Sequence, residues 1–299
     1  MLRTPAGPAL AAAALLALPA TLAAQTPLEL VIASPDVTAV LGGAVVADHQ
    51  LVADDLQGGA LALTFAPLPA EAAVGGIHLT AGGPVLFSPA TVTELAGTSY
   101  RPGDVIAFDG ATFSLAFDAM AAGLPPGVDV DAVTLGAAGE LLLSFDVTVV
   151  LPGVPFADED LVAWDGGGFD LVFDGSAAGV PEALDLDAAH RLPNGNLLLS
   201  FDGSGAIAGV AFADEDLLEY ESPAHWTLAY DGSASLPGWE AADLDAVSVG
   251  LPPSVIEIPT LGGWSLALLA ALLGAGALRL LGRAPAAADL GRGHRPQRL

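Results

Sequence analysis

The 299-residue chain contains no cysteine and no lysine, so its eight Lys and Arg positions are all arginines. Without cysteine, disulfide scaffolds, zinc–thiolate sites and thiol nucleophiles are excluded. The 35 acidic residues bring the formal charge to −27 at pH 7, which disfavours a nucleic-acid binder. Disorder is also disfavoured, because 53% of the residues are hydrophobic.

The first 24 residues have the order of a secretory signal peptide. Arg3 precedes a short apolar run, ALAAAALLAL, and small residues follow it up to Ala24. The run is far shorter than the roughly 20 residues that a membrane-spanning helix needs. We therefore expect cleavage near Ala24 and an exported chain that begins at Gln25.

Residues 261–281 form an apolar stretch, LGGWSLALLAALLGAGALRLL, that is long enough to span a bilayer. Its only charge, Arg279, lies near one end, and Trp264 lies near the other, where an interfacial aromatic belongs. The tail that follows is basic, with Asp289 as its single acid. By the positive-inside rule, the tail is cytoplasmic and the large acidic domain is exported.

A short motif at the start of this stretch, followed by an apolar helix and arginines, resembles the IPTL-type C-terminal sorting domain of Gram-negative bacteria. The motif residues are Ile258, Pro259, Thr260, Leu261 and Trp264. The resemblance covers about residues 256–283. It implies an inner-membrane, single-pass precursor that an exosortase, a membrane enzyme, cuts near the motif. The exported part then reaches the cell surface or the medium.

These features divide the chain into four parts. They are a signal peptide (1–24), a repeat β domain (25–255), a sorting signal with one C-terminal transmembrane helix (256–283) and a basic cytoplasmic tail (284–299). Residues 25–257 hold 34 of the 35 acids and only two arginines, which is a formal charge of −32. We expect such a surface to repel polyanions and to attract cations.

The middle of the chain repeats with a period of about 56 residues. FDLVFDGSAAG at Phe169 recurs as FSLAFDAMAAG at Phe113 and as WTLAYDGSASL at Trp226, and LLLSFD at Leu141 recurs at Leu197. Each period predicts four short strands separated by turn residues, which is the size of one propeller blade.

The two ends of the repeat array complement each other. The last copy stops after its third predicted strand, at residues 242–249, and residues 28–41 resemble the missing fourth, with Asp36 matching Asp146. One N-terminal strand, three full units and three C-terminal strands make sixteen. The sequence therefore predicts an all-β, four-bladed β-propeller closed by the N-terminal strand. A pair of β-sandwiches or an open solenoid is the alternative, but neither explains the reappearing strand.

An Asp-x-Asp pair occupies the same place in three copies of the repeat. The six residues are Asp129, Asp131, Asp185, Asp187, Asp243 and Asp245. Residues i and i+2 of a strand share a face, and ring closure would bring the pairs around one axis. Oxygen-rich sites of this kind suit Ca²⁺, so the six are candidate calcium ligands. The alternative is a solvated acidic face, since aspartate is common in β turns.

The other candidate residues carry weaker signals. Asp-Glu-Asp sets at residues 158–160 and 214–216 also recur, and we expect them to cap loops on one rim. The histidines share no metal-ligand spacing, and His190 is expected to be an ordinary packed residue. Asn194-Gly195 predicts a hairpin with a type I′ turn. Trp239, in a Pro-Gly-Trp loop without a counterpart, is the candidate exposed binding aromatic.

No catalytic residue is assigned, because the exported part has no Gly-x-Ser-x-Gly elbow and too few arginines for a His–Arg–carboxylate cluster. The first hypothesis is a cell-surface or extracellular-matrix protein with a non-enzymatic binding or structural domain. The alternatives are a calcium-dependent binder of glycans or other surface polymers, and an exported propeller hydrolase or lyase. The expected partners are the export machinery, an exosortase-type enzyme and surface polymers.

Overall fold

The computed structural model describes residues 28–80 and 82–250 of the chain. The predictions for the signal peptide, the sorting motif, the transmembrane helix and the basic tail lie outside these residues. In the described part, no helix is long and apolar enough to cross a membrane.

The described part contains twenty-four strands. The first twelve are β1 (Val31–Pro35), β2 (Ala39–Leu41), β3 (Ala44–Val46), β4 (Leu51–Asp54), β5 (Ala60–Leu63), β6 (Val74–Leu79), β7 (Val85–Pro89), β8 (Thr93–Leu95), β9 (Thr98–Tyr100), β10 (Val105–Phe108), β11 (Phe113–Phe117) and β12 (Val130–Leu135). The others are β13 (Leu141–Phe145), β14 (Val149–Leu151), β15 (Val154–Phe156), β16 (Leu161–Trp164), β17 (Phe169–Phe173), β18 (Leu186–Arg191), β19 (Leu197–Phe201), β20 (Gly205–Ile207), β21 (Val210–Phe212), β22 (Leu217–Ser222), β23 (His225–Tyr230) and β24 (Leu244–Val249).

The helices of the described part are single turns. They are α1 (Ala119–Ala122), α2 (Gly175–Ala178), α3 (Gly232–Ser235) and a 3-10 turn at Trp239–Ala241.

Sixteen of the strands form four antiparallel sheets of four strands each. Their orders are β24-β1-β4-β5, β6-β7-β10-β11, β12-β13-β16-β17 and β18-β19-β22-β23. The first strand of each sheet contacts the first strands of both neighbouring sheets, so β6, β12, β18 and β24 form a ring around a central axis. The predicted four-bladed β-propeller is confirmed, and β1 closes it by pairing with β24 from Val31↔Val249 to Pro35↔Leu244.

The predicted grouping of the strands is wrong in phase. The repeat seen in the sequence begins at the third strand of one sheet and ends at the second strand of the next, so each copy straddles two sheets. The closing sheet therefore takes only β24 from the C-terminal end and takes β1, β4 and β5 from the N-terminal end. Similarity alone cannot fix this phase, because any starting point in a circular repeat yields the same period.

Eight further strands were not predicted. They form the hairpins β2-β3, β8-β9, β14-β15 and β20-β21, and each hairpin lies between the second and third strands of a sheet. Each of these strands is three residues long. Such a strand is too short for apolar and polar residues to show a period of two.

The hydrophobic core lies between adjacent sheets. The second strand of each sheet is fully buried, because sheets cover it on both faces. Between the third and fourth sheets, Leu142 and Phe173 pack in one cluster with Leu199 and Trp226. The repeat signal LLLSFD thus comes from a core strand, whereas FDLVFDG comes from an outer strand whose last aromatic is buried and from the turn that follows it.

That turn explains why the FDGSAAG motif recurs with the same internal spacing in three copies of the repeat. Its aspartate is the N-cap of a one-turn helix and accepts a hydrogen bond, at 2.8–3.1 Å, from the amide three residues further on. The three caps are Asp118, Asp174 and Asp231. Gly123 and Gly179 then end α1 and α2 in the left-handed conformation that glycine adopts without strain.

The hairpin between β18 and β19 forms as predicted, but its turn is not type I′. Gly195 has φ = 96°, whereas Asn194 is not among the residues with positive φ. The Leu192 amide donates to the Asn196 carbonyl at 2.8 Å, and the Gly195 amide donates to the Leu192 carbonyl at 2.9 Å. The loop is therefore a longer one that needs a single left-handed residue.

Trp239 is fully buried, so the prediction that it is an exposed binding aromatic is wrong. Its indole packs against the closing sheet, and its Nε1 donates to Tyr230 Oη at 3.2 Å. Tyr230 Oη in turn donates to Asp54 Oδ2 at 2.9 Å, and the Ser235 hydroxyl bonds the same oxygen. We call these four residues the Asp54 network. It joins β23 and the 3-10 turn to β4, far away along the chain.

We expect Tyr230→Phe to lower the free energy of unfolding by about 1–3 kcal/mol, because it leaves the buried indole N–H of Trp239 without a partner and removes one hydrogen bond to the buried Asp54 carboxylate. Urea unfolding measures the loss. Tyr220→Phe is the control, since no hydrogen bond of the Tyr220 hydroxyl is described. Equal, small losses in the two variants would contradict a role of the Asp54 network in ring closure.

Candidate functional site

The structure brings the three Asp-x-Asp pairs together at one end of the propeller axis. We call their six residues the axial acid cluster. The second aspartate of each pair, Asp131, Asp187 or Asp245, is the second residue of an axial strand. The ladders of β12 and β18 with their neighbours shift register here, and such a bulge re-aims a side chain.

The fourth axial strand carries no carboxylate at this level. The second residue of β6 is Gly75, and Gly76 follows it. A Cβ at Gly76 would lie 2.8 Å from the Asp131 carbonyl oxygen, so glycine allows β6 to approach β12. The axial acid cluster is therefore built from three of the four axial strands, and the fourth strand has glycine at the equivalent place.

The first aspartate of each pair meets a further acid. The amides of Asp129, Asp185 and Asp243 donate hydrogen bonds of 2.7–2.8 Å to carboxylates that follow the second strand of each sheet. Those acceptors are Asp146, Asp202 and Asp36. The sequence match between Asp36 and Asp146 thus reflects a real structural equivalence, and it adds three negative charges beside the cluster.

Burial, and secondly the neighbouring carboxylates, raise the pKa values of the cluster. The pKa of Asp131 and of Asp243 rises to about 8, and that of Asp185 and of Asp245 rises to about 7. Burial also raises the pKa of Asp187 well above its ordinary range. The other charged groups that face the cluster are all acids, namely Asp36, Asp48, Asp146, Asp158, Asp202 and Asp214.

Three residues further along the axial strands, neutral side chains fill the axis, and we call this place the histidine level. The imidazoles of His78 and His190 come from opposite strands and stack across the axis with ring centroids 5.4 Å apart. His78 Nδ1 lies 3.1 Å from Thr134 Oγ1. Burial lowers the pKa of His78 to about 4, and burial and then His78 lower that of His190 to about 3. These imidazoles are therefore uncharged and do not balance the acids.

His190 is a packed strand residue, as expected, but its pairing with His78 was missed. The two lie 112 positions apart in the sequence, which is two periods of 56. The spacing of two periods could therefore have indicated the pairing. It was missed because β6 lacks the Asp-x-Asp pair that would have extended the repeat back to His78.

The last two acids of each Asp-Glu-Asp set are buried and hold the adjoining loops. Asp160 accepts hydrogen bonds from the amides of Ala157 and Gly175, at 2.9 and 3.0 Å. Asp216 makes the same bonds to the amides of Ala213 and Gly232. In both copies, the last acid of the set thus holds the loop before the third strand of its sheet against the one-turn helix that follows the fourth strand.

Two further observations bear on chemistry. Among residues 28–80 and 82–250, no three imidazole or carboxylate groups lie close enough together to hold a metal ion. Beside the histidine level of the axis, a cavity of about 340 Å³ is lined by Glu29, His190 and Arg191 with apolar neighbours.

Residues 258–284 match the IPTL-CTERM motif. The chain therefore carries an IPTL-type C-terminal sorting domain, as its resemblance implied. Such a domain implies processing by an exosortase-type system and export to the cell surface. Fold and motif together define the class: an exported β-propeller protein with a C-terminal sorting signal.

A comparison with curated proteins found no match. Similar solved structures include an inactive virginiamycin B lyase from Staphylococcus aureus (12% identity over 71% of this chain and 65% of that chain, TM-score 0.29). A streptogramin B lyase (14%, 62% and 48%, TM-score 0.25) and a proposed gluconolactonase (14%, 72% and 91%, TM-score 0.31) are also similar. The chain thus spans about two thirds of the length of the first lyase and about half of the length of the second. Similarity at this level carries no argument about activity.

In the presence of a chelator, we expect the free energy of unfolding to fall as the pH rises from 6.5 to 8.5. The raised carboxyl pKa values mean that the folded chain holds protons that the unfolded chain has lost, so raising the pH costs about 1.4 kcal/mol per pH unit for each such proton. The two histidines change the free energy of unfolding only below about pH 6.5, because their pKa values in the folded chain are lowered. Urea unfolding at three pH values measures the slope.

Asp187→Asn should flatten this profile, since it removes one of the carboxyls that give up a proton. The exposed Asp170→Asn should leave the slope unchanged. A wild-type stability that is constant or rises across this interval would contradict the electrostatics of the axial acid cluster.

Proposed function

We propose that this is a cell-surface or extracellular-matrix protein in which the propeller is a non-enzymatic binding or structural module. The observation that carries the proposal is the IPTL-CTERM match at residues 258–284, behind a propeller whose last strand ends at Val249. A cut near Ile258 removes none of the strands described within residues 28–250, so the released part keeps its closed ring.

In this proposal, residues 1–24 direct export and are removed. Residues 261–281 hold the precursor in the inner membrane, with the arginine-containing tail in the cytoplasm, until the exosortase-type enzyme acts. The exported part then meets surface polymers with a charge of −32, which favours cationic or cation-bridged partners over polyanions.

A calcium-dependent binder of glycans or other surface polymers is the second candidate, and the axial acid cluster is the observation that favours it. An exported hydrolase or lyase is the third. The cavity that Glu29, His190 and Arg191 line supports it, since these residues supply a base, a cation and a carboxylate. His190 is, however, held in a stack and buried, which suits packing better than proton transfer.

The sorting step predicts a defined new C-terminus. Mass spectrometry of the exported form should find its last residue near Ile258, and Pro259→Ala should leave most of the chain uncut in the membrane. Pro252→Ala, which lies outside the matched motif, is the matched control and should be processed normally. An exported wild-type form that still ends at Leu299 would leave the tail as a plain anchor and refute the proposal.

A further inference from the structure

A cleft of about 580 Å³ lies between the second and third sheets of the propeller, away from the axis. Its walls are mostly apolar, and an indole and two carboxylates line it as well. We call it the Trp164 cleft. The residues that define it are Pro84, Leu86, Leu135, Glu140, Trp164 and Asp165.

The indole in this cleft has fewer aromatic neighbours than its equivalent in the next sheet. Trp164 ends β16 and packs edge-on against Phe117, with ring centroids 5.0 Å apart. One period later, Tyr220 also contacts the ring of Trp226, at 4.8 Å. The third sheet has Phe169 in place of Trp226, and among the described residues Phe169 makes no ring contact with Trp164. The indole is therefore half-buried and lines the cleft.

The two carboxylates of the cleft each keep one oxygen free of hydrogen bonds. Glu140 Oε2 accepts a hydrogen bond from the Ala138 amide at 2.8 Å. Asp165 Oδ1 accepts hydrogen bonds from the amides of Gly167 and Gly168 at 2.9 and 3.1 Å, and these bonds lower the pKa of Asp165. In the described part of the chain, the second oxygen of each carboxylate has no hydrogen-bond partner. Each acid can therefore meet a ligand.

The chain offers these acids no cation of its own. It has no lysine, and neither of the two arginines in residues 28–250 lines the cleft. Arg101 pairs instead with Asp104 at 3.3 Å and with Asp118 at 3.5 Å, and Arg191 lines the cavity beside the histidine level. The acidic surface around the cleft attracts cations from solution. A positive group in the cleft therefore comes from a ligand.

We propose that the Trp164 cleft binds a methylated ammonium group carried by a surface polymer. The face of an indole attracts a cation that lies within about 6 Å of the ring centroid, and tryptophan is the best aromatic residue for this contact. The carboxylates of Glu140 and Asp165 add a Coulomb attraction. Methyl groups on the nitrogen suit the apolar walls at Pro84 and Leu86, because they need no hydrogen bond. The same carboxylates repel an anionic polymer.

The inference deepens the proposed binding role of the propeller and rests on it, because it names the chemistry of the polymer that the exported part meets. The volume of the cleft lies within the roughly 300–1,000 Å³ of small-molecule sites. It therefore has room for the ammonium group and for a few atoms of the chain that carries it. Processing near Ile258 is measured at a different part of the protein, so the sorting proposal and the binding proposal can fail separately.

The test compares choline with dimethylbutanol, a neutral molecule of the same shape. Each is titrated into the full chain in neutral detergent at low salt, and binding is followed by saturation-transfer NMR of the ligand methyl protons. We expect a choline Kd in the millimolar range and binding of dimethylbutanol that is weaker by about threefold or more. Absence of choline binding or equal binding of the two would overturn the proposal. Tighter binding of cellobiose would assign the cleft to a neutral glycan instead.

Charge variants separate a local site from the general acidity of the protein. Glu140→Gln with Asp165→Asn keeps the acceptors of the turn hydrogen bonds but removes both charges. It should weaken choline binding by about threefold or more and leave dimethylbutanol binding unchanged. The control, Glu94→Gln with Glu182→Gln, removes the same charge at exposed positions outside the cleft and should bind choline as the wild type does. Equal losses in the two double variants would refute the site.

Two aromatic variants test the indole itself. Trp164→Leu keeps the cleft apolar but removes the ring, so it should lose the preference for choline over dimethylbutanol. Phe169→Trp supplies the second ring that Trp226 supplies in the fourth sheet. It should cover the indole and weaken choline binding without lowering Tm, because the equivalent position already accommodates an indole. A wild-type preference for choline in both variants would contradict a contact with Trp164.

Discussion

The pairing of β1 with β24 is the constraint on which the rest of the structure depends. It joins Val31 to Val249, almost opposite ends of the described chain, and it puts β24 in place as the fourth axial strand. Without it, β1 would expose an unpaired edge, and Asp243 and Asp245 would not reach the other acids. The Asp54 network supports the same junction, because Trp239 and Tyr230 from the C-terminal part of the chain are hydrogen-bonded to Asp54 at the end of β4.

Closure has an electrostatic cost. Each sheet that joins the ring brings its acids to one end of the axis, and only the sheet that begins with β6 contributes glycine there. Burial gains from the second strands favour the closed ring, whereas the repulsion among desolvated carboxylates opposes it. The two effects act at different places, because the core lies between sheets and the acids lie at the axis.

The sequence repeat was sufficient to predict the four four-stranded sheets and the closure, because LLLSFD is a core strand and FDLVFDG ends in a buried aromatic and a helix cap whose chemistry fixes their spacing. It could also place the Asp-x-Asp pairs near one another, since equivalent positions in a ring share a level. It could not reveal the burial of Trp239, which depends on contact with a sheet from the other end of the chain. The phase of the repeat was hidden because any starting point in a circular repeat gives the same period, and the place of Gly75 was hidden because β6 lacks the Asp-x-Asp pair.

The position of the sorting signal gives the closing strand a further consequence. In the proposed export, the chain emerges from its N-terminus, so β1, β4 and β5 are outside long before β24 is. Until then, the inner edge of β1 has no partner, and three sheets are complete around an open gap. β24 is the last of the described strands, so the ring closes only when the chain has emerged as far as Val249. Because β1 and β24 belong to one chain, closure within the chain competes with pairing between chains for the exposed edge of β1 until β24 has emerged.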